Sequence, residues 1–197
     1  MQTFILSSLL FLVIISCNSD TSKTSISSPI IEKDPTPIFT VDSFISEGYS
    51  ILAQRKADFN LDGFEDAVVI LKNVHEQETS DYANNKPTLR PLLFLAGDKI
   101  GSLHLVARND KAVYCIDCGG QMGDPFNELV VDKQLVSINH YGGSQFRWIR
   151  NITFKYDTEK KGWFLYKDEK ENVSRIDSLG STESDIQPLE LFDLYAS

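Results

Sequence analysis

Phe146-Arg147-Trp148-Ile149-Arg150-Asn151-Ile152-Thr153-Phe154-Lys155-Tyr156 decides the fold class of this chain. Phe146, Trp148, Ile152, Phe154 and Tyr156 fall on one face of a period-2 pattern. Arg147, Asn151, Thr153 and Lys155 fall on the other, which is the alternation of a half-buried β-strand. Working outward, Ala67 to Leu71 and Leu92 to Leu95 are apolar runs of strand length, and Leu103, Leu105 and Ala107 alternate with His104, Val106 and Arg108. Turn-forming residues separate these runs at Gly97-Asp98, Asn109-Asp110, Asp132-Lys133 and Asp157 to Gly162. Such short spacing suits hairpins and leaves no room for parallel crossovers. The expected fold is mainly β: an antiparallel meander, sandwich-like or rolled, with one short helix near Val41 to Gly48 and a second starting at Pro188, where proline suits a first helical turn.

The chain divides into three parts. Residues 1–16 carry no charged side chain, and Phe4 to Ile15 is apolar apart from Ser7 and Ser8. That run is too short to span a bilayer, which takes about 20 apolar residues, and it has the length of a signal-peptide core. It departs from the usual signal in having no Lys or Arg ahead of the core. Ile14-Ile15-Ser16-Cys17 resembles the bacterial lipobox, which implies that residues 1–16 are a lipoprotein signal peptide and that Cys17 carries the lipid. Residues 17–40 then read as the lipidated cysteine and a tether rich in Ser, Thr and Pro, which cannot bury enough surface to repay its ordering. Fully extended, the tether reaches roughly 75 Å at about 3.3 Å per residue. Residues 41–197 read as a single β-rich domain. The location implied is the bacterial cell envelope, lipid-anchored at the periplasmic face or the cell surface.

Composition narrows the partners. Among 197 residues, 28 are acidic and 19 are Lys or Arg, a formal net charge of −9. Without a basic cluster, recognition of nucleic acid has no electrostatic basis. The same acidity opposes adhesion to an anionic bilayer, so membrane attachment falls to the lipid on Cys17.

The sharpest local pattern is Asp58-Phe59-Asn60-Leu61-Asp62-Gly63-Phe64-Glu65-Asp66. Oxygen-bearing side chains recur at Asp58, Asn60, Asp62 and Asp66, with Gly63 where a tight turn needs it. Calcium takes six to eight oxygens at about 2.3–2.6 Å, and alternate side chains of such a loop can all point inward, with the Phe64 carbonyl as a further ligand. The stretch resembles the calcium loops of FG-GAP and VCBS-type repeats in extracellular β-proteins. It shares its first half with the EF-hand but has Val69 where that motif places a bidentate glutamate, and a buried strand follows it. The resemblance covers roughly residues 58–71, once, and implies a structural Ca2+. The competing reading is an Asp-rich hairpin turn without an ion.

Two further segments carry chemistry. Cys115 and Cys118 form a Cys-x-x-Cys that an oxidising compartment would join as a disulfide. A redox-active pair and a zinc site, the latter needing ligands from His75, His104 or His140, are the alternatives. Gly119-Gly120-Gln121-Met122-Gly123-Asp124-Pro125 and His140-Tyr141-Gly142-Gly143-Ser144 are the most glycine-rich stretches. They read either as hairpin corners or, if they meet in space, as the frame of a pocket containing Asp124, His140, Tyr141 and Ser144. The stretches 108–126 and 140–148 resemble those of bacterial exported proteins described by their calcium-type loop, a resemblance that spans most of the domain and implies no activity. The leading functional expectation is a non-enzymatic envelope module, calcium-stabilised, that binds another envelope protein or a glycan. The alternatives are an envelope enzyme or thiol-redox protein using Cys115 and Cys118 or the His140 loop, and a lipoprotein inhibitor or immunity protein.

Overall fold

A computed structural model describes residues 37–173 and the backbone of Gln187–Pro188. Residues 1–36, which include the expected signal peptide, the Cys17 lipobox and most of the expected tether, lie outside the described residues. Eight antiparallel strands form two sheets without closing a barrel. The first sheet holds β1 (Tyr49–Ala57), β2 (Asp66–Asn73), β3 (Leu92–Gly97) and β4 (Leu103–Asn109) in that order. The second holds β5 (Phe126–Asp132), β6 (Leu135–Gly143), β7 (Arg147–Asp157) and β8 (Gly162–Val173), with a two-residue β9 (Gln187–Pro188) paired to β8. Each sheet is a meander, and the segment after Asn109 carries the chain from one to the other. β1 lies against β5 and β4 against β8, so the sheets stack as a sandwich.

The core explains why β2 reads as an unbroken apolar run. Val68 and Ile70 face the second sheet and pack with Leu92, Phe94, Leu129, Val136, Ile138, Ile152 and Phe154. Ala67, Val69 and Leu71 face the other way, where Val41, Phe44, Ile45 and Tyr49 cover them together with Leu93, Leu95 and Leu103. Both faces of β2 are therefore buried, and period-2 alternation is lost because neither face meets water. The centre of the sandwich is aromatic: Phe94 stacks on Trp163 at 4.3 Å and meets Phe154 edge-on at 5.5 Å. Such pairs contribute about 0.5–1.5 kcal/mol each beyond burial.

Four local expectations need correction. The element near Val41 is a single 3-10 turn, Val41–Phe44, in which the Ser43 hydroxyl accepts from the Thr40 N–H at 3.1 Å. The chain joins the first sheet ahead of it, the Leu103 N–H donating to the Phe39 carbonyl at 2.8 Å. Pro188 lies in a strand pair with Glu169, and the residues after it are outside the described set. Phe146 precedes β7 and is 72% exposed. In β4 a bulge between the Leu95–Leu105 and Phe94–Ala107 pairs inserts Val106, so Leu103 packs on the outer cluster while Ala107 turns to the inner one. Among the described residues the one α-helical turn is α1 (Glu76–Thr79), in the connection between β2 and β3.

Candidate functional site

The strand registers place the chemistry at opposite ends of the sandwich. Asp66, Gly97 and Leu103 mark one end and Asn73, Leu92 and Asn109 the other. The chain enters at the first end, through Phe39.

The Asp58–Asp66 loop closes that end. Leu61 and Gly63 adopt positive φ, 63° and 89°, which turns the backbone so that its amides face the acidic side chains. Asp58 accepts from Asp62 N–H at 3.1 Å and Gly63 N–H at 2.9 Å, Asn60 Oδ1 from Asp62 N–H at 2.9 Å, and Asp62 from Phe64 N–H at 2.9 Å. The Asn60 amide also donates to Asp62 at 2.8 Å. Asp66, 3% exposed, receives Phe59, Asn60 and Gly97 N–H groups at 3.0, 3.3 and 2.8 Å. Burial pushes its carboxyl up, the three amides pull it down, the Asp62 charge adds to the rise, and the net direction is upward. Phe59, the second residue of the loop, is 1% exposed and meets Trp163 edge-on at 5.8 Å, so the loop is pinned into the core.

As a calcium ligand set these residues fit in kind and order. Each carboxylate keeps lone pairs beyond those its amide bonds use. In this arrangement Asp58, Asp62 and Asp66 do not close on one point; among the described residues, the one group of such side chains with all ligand atoms within 4.8 Å is Cys115, Asp117 and Cys118. An ion at the loop would draw Asp58 and Asp62 inward from their amide bonds.

At the far end lies a buried polar cluster. Arg90, fully buried, has five N–H donors, and all five are used. Nε and Nη2 bond the Glu76 carboxylate at 2.9 and 2.8 Å, Nη1 and Nη2 bond Asp124 at 2.7 Å each, and Nη1 also bonds the Tyr114 carbonyl at 3.1 Å. Burial disfavours its charge, yet Glu76 and Asp124 leave its pKa above the ordinary guanidinium value. Arg150 makes the same two-pronged bond to Asp168, at 2.8 and 2.6 Å, and reaches the Tyr114 hydroxyl with Nη1.

Tyr114 joins these groups. Its N–H donates to His140 Nε2 at 3.2 Å, its carbonyl takes Arg90, its hydroxyl takes Arg150, and its ring lies 4.7 Å from the His140 ring and 5.7 Å from Trp148. His140 is 1% exposed. Burial, with the Arg150 and Arg90 charges, lowers its pKa to about 4. An accepting Nε2 identifies the neutral tautomer protonated at Nδ1, which has no hydrogen-bond partner among the described residues.

No protein-family model, curated protein or solved structure matches the chain.

The two glycine-rich stretches meet, Gly143 N–H donating to the Gly119 carbonyl at 2.9 Å, but the four pocket candidates do not share a cavity. His140 points into the sandwich, and its neighbour Tyr141 therefore points out. Ser144 sits in the exposed turn before β7, and Asp124, at the surface, commits its carboxylate to the buried Arg90. A cleft of about 240 Å³ opens beside them instead, lined by Tyr82, Tyr114, Cys118, Trp148 and Lys170. The Cys115 and Cys118 sulfurs are bonded, with Cys115 buried. Asp117 between them accepts from the Ser80 hydroxyl at 2.5 Å and Tyr82 N–H at 2.7 Å. Burial raises its carboxyl and these bonds lower it, leaving it below the usual range. The larger concavity, about 420 Å³ around Tyr156 to Lys160 and Phe164 to Tyr166, is an open fold of the β7–β8 hairpin surface.

Proposed function

We propose that this chain is a lipid-anchored envelope protein whose β-sandwich, with calcium at the Asp58–Asp66 loop, serves as a binding module. The observation that carries the reading is how the reactive side chains are used. His140 and Cys115, the groups an acid–base or thiol enzyme would present, are sealed inside and committed to Tyr114 and to Cys118, while the accessible cleft is walled by aromatic rings. A catalytic base must reach its substrate's proton, and an accepting His140 Nε2 bonded to backbone is not placed to do so. A nucleophilic thiol must likewise be free and reachable; Cys115 is buried, and Cys118, which lines the cleft, is bonded to it. Entry of the chain at the loop end supports the same reading, since it leaves the cleft at the opposite end.

The anchoring half of the proposal rests on Cys17. With radiolabelled palmitate supplied to the expressing bacterium, label should enter the wild-type chain and be absent from Cys17→Ser, because serine cannot accept the thioether lipid. Label in the variant would reject the anchor.

A further inference from the structure

We infer that the cleft bounded by Tyr82, Tyr114, Trp148 and Lys170 is a saccharide site that takes one sugar ring of a neutral glycan. The inference rests on the binding-module reading and names its ligand class. Three aromatic rings and a primary amine converge on about 240 Å³, less than the roughly 300–1,000 Å³ that encloses a drug-sized ligand. One ring of a chain that continues into solvent is the occupant of that size. A sugar ring presents an apolar C–H face and a rim of hydroxyls. Tyr and Trp offer the matching combination of an apolar face and a polar tip.

The walls are set before any ligand arrives. Trp148 pairs across the strands with Gly142, and its indole lies so close that a Cβ on Gly142 would come within 2.4 Å of it; only glycine leaves room for the ring. Tyr114 is held at its N–H, carbonyl and hydroxyl. The Tyr82 backbone is clamped by Asp117, which the Cys115–Cys118 bond brackets. Walls fixed in this way lower the ordering cost of binding.

Charge separates a neutral ligand from an anionic one. Arg90 is answered by Glu76 and Asp124, and Arg150 by Asp168, so the two guanidiniums behind the cleft have no charge left to offer a carboxylate or phosphate. Lys170 is exposed at the rim, in a chain whose net charge is −9. One exposed ammonium in that field is a hydroxyl donor more than an anion trap.

The test is calorimetric titration of the full chain in detergent with cellotriose, maltotriose and chitotriose. At least one should bind, and Tyr82→Ala should weaken it by about tenfold or more. Tyr82 is 56% exposed, so its loss does not endanger the fold. Phe146→Ala removes an aromatic ring that is 72% exposed and outside the cleft, and should leave binding unchanged. Failure of all three sugars to bind, or binding that survives Tyr82→Ala, would overturn the inference. Palmitate labelling and calcium-dependent melting do not involve the cleft, so either outcome here is distinguishable from failure of the anchor or the ion.

Discussion

The two ends of this sandwich both concentrate carboxylates, and they answer the charge by different means. At the far end Glu76, Asp124 and Asp168 each meet a guanidinium in two-pronged geometry. At the loop end Asp58, Asp62 and Asp66 meet backbone amides and the Asn60 side chain. Lys56, beside the loop, pairs with Glu65 at the surface, 2.9 Å away. The far end carries its countercharges in the sequence, whereas the loop end leaves three carboxylates on one short turn. The lesson is that one end should be insensitive to the ions in solution and the other should depend on them.

The largest effect should come from removing the internal cation. Arg90→Met leaves Glu76 and Asp124 facing one another without their guanidinium, and breaking a buried ion pair this way costs about 3–5 kcal/mol. Urea unfolding of the full chain would measure it. A loss below about 1 kcal/mol would mean that the cluster relaxes into water.

Acid should separate the ends by sign. The folded pKa of His140, about 4, lies below its ordinary 6.5, so its neutral form is the one the fold accepts. Its contribution is fully present above pH 6.5, falls as the unfolded chain takes up a proton that the native state refuses, and levels off below about pH 4. At about 1.4 kcal/mol per unit this amounts to roughly 3 kcal/mol. With no ion at the loop Asp66 acts oppositely, because its folded pKa is raised: it favours the fold at low pH, and that advantage is lost as pH rises through its folded value. Urea midpoints taken from pH 7 to pH 4 should fall more steeply for wild type than for His140→Gln. Parallel profiles would place the acid sensitivity elsewhere.

The same contrast explains what could be read from the sequence. The loop is contiguous, so its spacing alone groups Asp58, Asn60, Asp62 and Asp66 on one turn. The far-end cluster draws on residues 76, 90, 114, 124, 140, 150 and 168, which only the fold brings together. Two irregularities hid it further. A bulge between the Thr153–Lys167 and Phe154–Leu165 pairs shifts the parity of β8, turning Trp163 and Leu165 inward at one end and bringing Asp168 to Arg150 at the other. The glycine stretches read as a pocket frame in sequence, yet His140 and Tyr141 are strand neighbours and must face opposite ways. One signal was available: Arg150 sits between Trp148 and Ile152 on the apolar face of β7, and a charge at that register calls for a buried partner. The mainly β fold was legible because β7 is long and its alternation, from Trp148 onward, follows from a face that packs against the other sheet.

The smallest of these effects is the most direct test of the comparison. On metal-stripped full-length protein, calcium should raise the melting temperature of the wild type by several degrees, since an ion that binds only the native state adds about 1.4 kcal/mol at roughly ten times its Kd. Magnesium should do less, because it demands a stricter octahedron. Asp62→Ala should remove the response, while Arg90→Met, though far less stable, should keep it. Coincident wild-type melting curves in calcium and in chelator would contradict the account and reduce the Asp58–Asp66 loop to an amide-satisfied turn.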